Sequence, residues 1–246
     1  MFRLLCITAH PDDEAGGFGG TLLHYASRGV ETHVACLTPG QAGSHRGMAK
    51  SNAELAAIRR EEFAASCRIL KVGHGEVLNY EDAGLPRADF FAVVGELAKR
   101  VRSIRPHVMI TMGAEGAVTA HPDHSMASLF ATMAFHWAGR KGLFPEQLGN
   151  GVEPHRAQKL YYGTADFTIK EREPVSLAPI TTIIDISPYL DLKLAAFKAH
   201  ATQGPLFPIF ERNVLRHGGK ERFHLAAAIT PRLAQQETDL FEGVAE

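Results

Sequence analysis

The sequence has little cysteine, tryptophan or net charge, and each shortage narrows the class of protein. Only three cysteines and one tryptophan occur among 246 residues, and the formal net charge is −1. A sparse, odd number of cysteines in apolar settings predicts reduced core thiols, as in a cytoplasmic protein. A charge near zero without basic blocks disfavours nucleic acid, or an anionic membrane surface, as the main partner.

Long apolar runs are also missing, since none approaches the about 20 residues that a membrane span requires. The segment from Met1 to Cys6 lacks a basic region and a small-residue cleavage site, so we expect no signal peptide. The composition, 45% hydrophobic and 22% charged, is that of a globular protein. The length predicts a single domain over residues 1–246 with a substantial core.

Short apolar runs along the chain predict strands, and most are continuous, as expected for strands buried on both faces of a parallel sheet. They lie at residues 2–9, 31–38, 77–78, 107–112, 160–164 and 180–186. Because helical segments separate them, the sequence predicts an α/β fold with a mostly parallel sheet and right-handed crossovers. Residues 139–179 are otherwise expected to form a long connection, and the part from about residue 204 to be irregular.

Capping residues and proline delimit the expected helices. We predict helices over residues 19–28, 51–70, 89–105, 122–137 and 188–201. Ser51, Asp89 and Ser187 are the predicted N-caps, and Pro122 suits a first helical turn. The glycines at residues 16–20 lack the spacing of a dinucleotide-binding loop, so we expect them to allow close backbone packing or to leave room for a substrate.

Two motifs rich in histidine and carboxylate each follow a predicted buried strand. They are His10-Pro11-Asp12-Asp13-Glu14 and His121-Pro122-Asp123-His124. Ligands of open α/β sheets bind outside the carboxyl ends of the strands, so neighbouring strands would bring both motifs to one edge. We expect the loop at residues 39–43 to lie at the same edge.

Together the two motifs predict a hydrolytic metal centre. His10 and Asp13 are three residues apart in a loop, and His124 would complete a set of three ligands. A fourth position left to water is the pattern of catalytic zinc. Asp12 could accept a proton from metal-bound water, and His121 could donate to an oxyanion or a leaving amine.

Other interpretations of the motifs stay open at this point. The acidic turn could merely support the next helix, and the second motif could be a cap with exposed histidines. Asp123 is expected to orient a neighbouring imidazole. Two histidines and a carboxylate also describe a non-haem iron oxygenase, and a noncatalytic sugar- or nucleotide-binding module is a third candidate. Asp12 favours hydrolysis, because an oxygenase needs no proton acceptor beside its metal.

The two motifs resemble those of the PIG-L / LmbE-like family of zinc-dependent N-acetylglucosamine deacetylases. Three further segments are similar to family motifs, at residues 37–43, 59–62 and 193–203. Gln41 stands where a glutamate is usual, which puts the substrate contacts of that loop in doubt, and Thr202 replaces a serine. The resemblance therefore extends from the first strand to about residue 203.

This resemblance implies a Rossmann-like α/β fold and hydrolysis of the amide of an N-acetylated amino-sugar conjugate. It implies one zinc ion per chain bound by His10, Asp13 and His124, with Fe²⁺ or another divalent metal as the alternative. The partner would be a small-molecule conjugate. The group attached to the sugar stays open, and so does the oligomeric state, including a homo-oligomer.

The resemblance also implies catalytic roles around the metal. Asp12 would be the general base, and His121 the oxyanion-stabilising or acid group. Asp123 would orient His121.

Two candidate substrate contacts, Arg59 and His200, each have a structural alternative. Arg59 could instead be a surface arginine paired with Glu61 or Glu62. His200 could be a packed, hydrogen-bonded core histidine. Glu14 is expected to be structural rather than catalytic.

Overall fold

A mixed sheet organises the described residues, 1–172, 174–217, 219–231 and 235–246, of this computed structural model. Its strands are β1 (Arg3–Thr8), β2 (Glu31–Cys36), β3 (His74–Val77), β4 (Val108–Thr111), β5 (Lys159–Thr164), β6 (Thr182–Asp185) and β7 (Lys220–Ala228). Their order across the sheet is β3-β2-β1-β4-β5-β7-β6. The first five in this order run parallel, and β7 is antiparallel to both of its neighbours. The predicted α/β fold with a mostly parallel sheet is confirmed.

Helices cover both faces of the sheet. They are α1 (Asp13–Ser27), α2 (Asn52–Ile69), α3 (Phe90–Ile104), α4 (Pro122–Trp137), α5 (Leu190–Lys198) and α6 (Phe207–Arg216). Short 3-10 helices lie at Leu85–Arg87, Ala117–Thr119, Pro145–Gln147, Lys170–Arg172, Ser187–Tyr189 and Ala201–Leu206. One apolar layer holds α1, α2 and α5, and the layer on the other face holds α3 and α4.

The first strand contributes to both apolar layers, as a strand at the centre of a parallel sheet must. Leu4 and Cys6 face the layer with α1, whereas Leu5 and Ile7 face the layer with α3, and all four are fully buried. The cysteines are free and buried, as predicted for core thiols. Among the described residues, no helix is long and apolar enough to cross a membrane.

The strand order reverses at β1, and this reversal positions both motifs. β1 pairs in parallel with β2 on one side and with β4 on the other. The crevice between the carboxyl ends of β1 and β4 is therefore a topological switch point, where α/β sheets bind ligands. The expectation that the two motifs follow neighbouring strands is confirmed.

Two of the predicted helix starts are confirmed at atomic detail. The Ser51 hydroxyl accepts the N–H of Glu54 at 3.1 Å, and the Asp89 carboxylate accepts that of Ala92 at 2.9 Å. Each bond satisfies one of the free N–H groups of a first helical turn. Local capping chemistry thus fixed these starts without help from distant parts of the chain.

The start of α1 was predicted wrongly, because the glycines in its first two turns do not indicate a helix in the sequence. The helix begins at Asp13, not at Gly19. A Cβ built on Gly20 would lie 2.5 Å from the Cβ of Ile186, so a side chain there would collide with the segment after β6. Close packing of the helix, one of the two expected uses of the glycines, is therefore confirmed at Gly20.

Predictions for the carboxyl-terminal part also needed correction. Ser187 does not cap α5: its N–H donates to Asp185 at 2.9 Å within a 3-10 turn, and α5 begins at Leu190. The part from about residue 204 is not irregular, since it contains α6 and β7. β7 lies inside the sheet, between β5 and β6.

A buried polar cluster explains why β7 joins the sheet at that position. Glu221 of β7 accepts the N–H groups of Gly20 and Thr21 at 2.9 and 2.8 Å. It also pairs with Lys193 of α5 at 2.6 Å, and the Lys193 ammonium donates to the carbonyl of Ala15 at 2.9 Å. These charge-assisted bonds join three distant segments around α1.

Candidate metal centre

Three side chains from the two motifs converge in the crevice between β1 and β4. His10 Nδ1 lies 3.2 Å from His124 Nε2. The Asp13 carboxylate completes the group, with Oδ1 3.2 Å from His124 Nε2 and Oδ2 3.6 Å from His10 Nδ1. The structure thus brings together the three residues that the sequence singled out as ligands.

Hydrogen bonds on the far side of each imidazole set its tautomer. His124 Nδ1 lies 3.3 Å from the carbonyl oxygen of Gly116, to which it can donate only as N–H. His10 Nε2 lies 3.1 Å from an Asp82 oxygen and 3.3 Å from an Asp123 oxygen. Carboxylate and carbonyl partners of this kind leave the inner nitrogen of a neutral ring with its lone pair free for a metal.

The spacing of the three donors fits one tetrahedral ion. Donors bound at about 2.0–2.2 Å to a tetrahedral zinc lie about 3.3–3.5 Å from each other. The His10–His124 separation of 3.2 Å is close to that value, and two different oxygens of Asp13 lie 3.2 Å from His124 and 3.6 Å from His10. Two nitrogens and one carboxylate oxygen are also donors that zinc accepts. The residues present therefore fit the metal that the resemblance implies.

The pKa values of the donors show how strongly the cluster attracts positive charge. Burial alone would raise the pKa of Asp13, but His124 and His10 hold it well below its usual range. Burial would likewise lower the pKa of His10, yet hydrogen bonds to Asp123, Asp13 and Asp82 raise it well above its usual range. A bound cation would take the place of the proton that these groups share.

Asp12 is held beside the donors in a strained backbone conformation. Its φ of 117° lies in the left-handed region, which costs about 1–3 kcal/mol and clusters at functional sites. The Asp12 N–H donates to Glu14 at 3.0 Å, and Arg59 donates to the Asp12 carboxylate at 3.0 Å. Burial raises the pKa of Asp12 to about 6, with Arg59 as the main opposing charge.

Arg59 is a buried residue that joins two loops of the site. The residue is 4% exposed. Its guanidinium donates to the carbonyls of Pro11 and Gly40 and to the carboxylate of Asp12. Gly40 has a φ of 67°, and a Cβ there would overlap the guanidinium. The alternative of a surface arginine paired with a neighbouring glutamate is therefore wrong.

His121 lies at the mouth of α4 and completes a group of three imidazoles. A donor nitrogen of His121 lies within 4.8 Å of donors of His10 and His124. Its Nδ1 accepts the N–H of Asp123 at 3.1 Å. Burial and the charges of His10 and His124 lower its pKa, so the ring is neutral near pH 7.

The carboxylate of Asp123 orients a different histidine from the one expected. It lies 3.3 Å from His10 Nε2 and accepts the N–H of Ala83 at 2.7 Å, whereas the expected pairing with the His121 ring stays a prediction. The reason is the first turn of α4, in which Asp123 points inward and His121 caps the helix. The more general expectation, that the Asp123 carboxylate contacts and orients a neighbouring imidazole, is met at His10.

Asp82 is the site residue that sequence reasoning missed. It follows β3 and lies 3.1 Å from His10, and it accepts the N–H of Ala42 at 2.8 Å. It therefore joins the loops after β1, β2 and β3 at the carboxyl edge of the sheet. A carboxylate just past a third strand was the available signal, and it was overlooked because no histidine stands beside it in the sequence.

His200 is a core residue that holds Glu14 and does not face a substrate. It is fully buried, and its Nε2 lies 2.7 Å from Glu14. The same Glu14 oxygen accepts the Ser66 hydroxyl at 2.6 Å, and the other accepts the N–H of Asp12. The candidate substrate contact at His200 is therefore wrong, and the core-histidine alternative is confirmed, as is the structural role of Glu14.

The second residue of the arginine–glutamate motif anchors the segment that carries His200. Glu62 accepts both the N–H and the hydroxyl of Thr202, each at 2.7 Å. A serine hydroxyl could make the same bond, which explains why Thr202 can replace it. Arg59 thus fixes the loop with Asp12, while Glu62 fixes the segment after α5.

The structure therefore brings together a group of side chains that could hold a metal ion, with the Asp12 carboxylate adjoining it in the sequence. A family model described as PIG-L, GlcNAc-PI de-N-acetylase, matches residues 5–135, which is more than half of the chain. The chain belongs to this PIG-L family. The matched region contains both motifs and every donor of the centre.

Relatives and solved structures extend the similarity to nearly the whole chain. A 1D-myo-inositol 2-acetamido-2-deoxy-alpha-D-glucopyranoside deacetylase from Rhodococcus opacus is 31% identical over 292 aligned positions, covering 98% of each protein. A mycothiol S-conjugate amidase from Streptomyces coelicolor is 28% identical, covering 99% of this chain and 98% of the relative. The structure of an N,N'-diacetylchitobiose deacetylase from Pyrococcus horikoshii gives a TM-score of 0.77 at 26% identity. The alignment covers 93% of this chain and 86% of that structure.

Proposed function

We propose that this chain is a zinc-dependent deacetylase that hydrolyses the N-acetyl amide of a small N-acetylglucosaminyl conjugate. The observation that carries the proposal is Asp12, a carboxylate of raised pKa held next to the converging donors of His10, Asp13 and His124. An oxygenase or a noncatalytic binding module has no use for such a proton acceptor. Family membership supports the hydrolytic alternative over both.

We propose that His10, Asp13 and His124 hold the catalytic ion, one per chain. Zinc suits this donor set, and Fe²⁺ is its competitor. When bound, a divalent cation supplies Lewis-acid activation of water and of the amide carbonyl. The chain itself fixes the donors in advance, because Asp82 and Asp123 hold His10 and the Gly116 carbonyl holds His124.

Asp12 acts as the general base. It removes a proton from the attacking water and returns it to the nitrogen as the carbon–nitrogen bond breaks, so that acetate and a free amine leave. A pKa of about 6 suits both steps, since the group can gain and lose a proton near neutral pH. Arg59 donates to the carboxylate at 3.0 Å and restrains its position.

His121 stabilises the negative charge that develops on the carbonyl oxygen. Its Nδ1 accepts the N–H of Asp123, so the single proton of the neutral ring is on Nε2, which is a donor. The lowered pKa of His121 keeps the ring neutral. We therefore favour the oxyanion-stabilising role over that of the general acid.

The substrate class rests on the named relatives. One is a deacetylase of a glucosaminyl inositol, one an amidase of mycothiol S-conjugates and one a deacetylase of diacetylchitobiose. All three names denote cleavage of an amide, and two of the three specify removal of an acetyl group. Gln41 borders the crevice, and its buried side-chain oxygen has no partner among the described residues, which makes it a candidate contact to the conjugate.

The test is a release assay on zinc-loaded protein. The substrates are the acetylated glucosaminyl inositol, N,N'-diacetylchitobiose and a mycothiol S-conjugate, and both acetate and free amine are measured. We expect equal amounts of acetate and amine from at least one acetylated conjugate, released about 10²–10⁴-fold more slowly by the Asp12→Asn variant.

Two results would contradict the proposal. The first is an oxidised product, or a product that requires O₂, which would favour the oxygenase. The second is an absence of acetate from every acetylated conjugate while metal content is complete. If amine is released from the mycothiol S-conjugate alone, the enzyme is an amide hydrolase as proposed, but the group that it removes is not acetyl.

A further inference from the structure

A second cluster of metal-binding side chains lies at the opposite, amino edge of the sheet. Glu31 is the first residue of β2, His33 follows two positions later, and His74 is the first residue of β3. His33 and His74 are directly paired in the parallel register of the two strands. The pairing brings both imidazoles to the same face of the sheet, because paired residues of parallel strands share a face.

The donor atoms of this cluster face one another. His33 Nε2 lies 3.2 Å, and His74 Nε2 3.4 Å, from the same oxygen of Glu31, Oε1. One donor atom from each of the three residues lies within 4.8 Å of the other two. The two rings stack, with centroids 4.8 Å apart and an interplanar angle of 19°. Two nitrogens and one carboxylate oxygen thus lie close together.

His33 provides an independent reason to expect a ligand. The residue is 8% exposed, and its buried Nε2 lies 3.2 Å from Glu31 Oε1 at an angle that does not make a regular hydrogen bond. A buried polar atom without a partner costs about 1–3 kcal/mol unless water or an ion satisfies it. Burial lowers the pKa of His33, which keeps the ring neutral and able to bind a metal.

The surroundings leave room for a cation. These side chains line a cavity of about 820 Å³ at the amino edge. Two positively charged residues, Arg3 and Arg105, also line this cavity, and Arg3 contacts the other oxygen of Glu31, Oε2, at 3.4 Å. Arg3 also donates to the carbonyls of Ile104 and Arg105 at the end of α3, at 3.0 and 3.2 Å. Arg3 is therefore held to one side, and Oε1 stays directed at the two histidines.

We propose that Glu31, His33 and His74 bind a second divalent transition-metal cation, such as Zn²⁺, that is independent of the deacetylase centre. Stacked rings cannot both direct a lone pair at one ion, so one ring must turn. His74 can do so at little cost, because its side chain is 69% exposed. The ion would tie β3, a short edge strand of four residues, to β2.

The experiment counts metal ions in the metal-depleted full-length protein. Zn²⁺ is titrated by calorimetry into the parent and into His74→Ala, Glu31→Gln and His136→Ala. His74→Ala is the main variant because an exposed side chain can be removed without loss of the fold. His136→Ala is the matched control, since it removes another exposed histidine, on α4.

We expect two equivalents of Zn²⁺ in the parent and in His136→Ala, but one in His74→Ala and in Glu31→Gln. Deacetylase activity should be the same in all four proteins, so this result does not depend on the proposed function. The His124→Ala variant should bind one equivalent, at the amino edge. The double variant His124→Ala/His74→Ala should bind none. A single equivalent in the parent that is kept in His74→Ala, or a second equivalent that survives in both His74→Ala and Glu31→Gln, would overturn the proposal.

Discussion

The two edges of the sheet carry the same donor types in different settings. At the carboxyl edge, His10, Asp13 and His124 come from loops and helix starts. Each imidazole there is fixed by hydrogen bonds behind it. At the amino edge, His33 and His74 come from strands, and the His74 side chain is mostly exposed.

This difference separates a centre for chemistry from a site for binding alone. The carboxyl edge has a proton acceptor, Asp12, and a neutral imidazole donor, His121, beside its candidate metal-binding atoms. Donors fixed in advance and groups that move protons are what hydrolysis requires. Donor type by itself therefore does not identify a catalytic centre, whereas the side chains around the donors do.

The largest effect is expected from removing a donor at the carboxyl edge. His124→Ala should lose the catalytic ion at neutral pH and with it almost all deacetylation, a fall of more than about 10³-fold, because both water activation and carbonyl polarisation depend on the ion. Elemental analysis and acetate release measure the two losses. His74→Ala, at the other edge, is the matched control and should keep full activity. Full metal occupancy of the carboxyl edge in His124→Ala would exclude His124 as a ligand.

The next effect concerns the proton acceptor that distinguishes the two edges. Asp12→Asn should retain the catalytic ion but lower kcat by about 10²–10⁴-fold, since an amide cannot take a proton from water. The measurement is kcat together with metal content. If kcat stays within a few-fold of the parent enzyme, another group is the base.

A smaller effect is expected from loosening the loop that carries Asp12. Arg59→Lys keeps the positive charge but cannot reach Pro11, Gly40 and Asp12 together, because an ammonium lacks the planar fork of donors. We expect kcat to fall by up to about 10²-fold with KM much less changed, since a misplaced catalytic group lowers the rate. A rise in KM with normal kcat would instead make Arg59 a substrate contact.

The smallest effect is on stability, from the Glu14–His200 pair beneath the carboxyl edge. His200 and Ser66 lower the pKa of Glu14 although burial opposes this, and Glu14 raises the pKa of His200 although burial opposes that too. The lowered Glu14 pKa stabilises the fold above pH 4.5, the ordinary pKa, and this contribution is lost as pH falls. The raised His200 pKa stabilises the fold below pH 6.5, and this contribution is lost as pH rises through the folded-state pKa.

Glu14→Gln should therefore lower the free energy of unfolding most between about pH 4.5 and 6.5, by about 1–3 kcal/mol. Urea unfolding at several pH values measures the difference from the parent. Glu211→Gln is the control, because its pair with Lys198 is exposed and worth about 0–1 kcal/mol. A difference that does not change with pH would mean that the pair is not ionised.

Much of the carboxyl edge could be predicted because its residues are close in sequence. Buried strands read as continuous apolar runs, and the polar motifs begin where those runs end, so His10 and His121 were placed correctly. Caps at Ser51 and Asp89 are local bonds and were predicted for the same reason. Asp82 was missed, since its contact with His10 joins residues that no local pattern relates.

The role of Arg59 shows where sequence reasoning ends. Its position in the motif indicated importance, but its partners at Pro11 and Gly40 lie in other loops, so only the fold could distinguish a buried anchor from a surface charge. The tail is a second example. β7 is held inside the sheet by Glu221 bonded to α1 and to Lys193, contacts that span most of the chain.

The sequence by itself determined the α/β class, the strands that precede the two motifs, the donor types and the family. It did so because apolar runs, caps and short motifs are local, and their physical meaning does not depend on distant residues. The tertiary structure alone decided that the two motifs meet, that Asp123 faces His10, that His200 is buried against Glu14, and that His33 and His74 pair at the other edge. Those facts depend on strand order and register, which arise when distant segments bury apolar surface and satisfy their polar groups together.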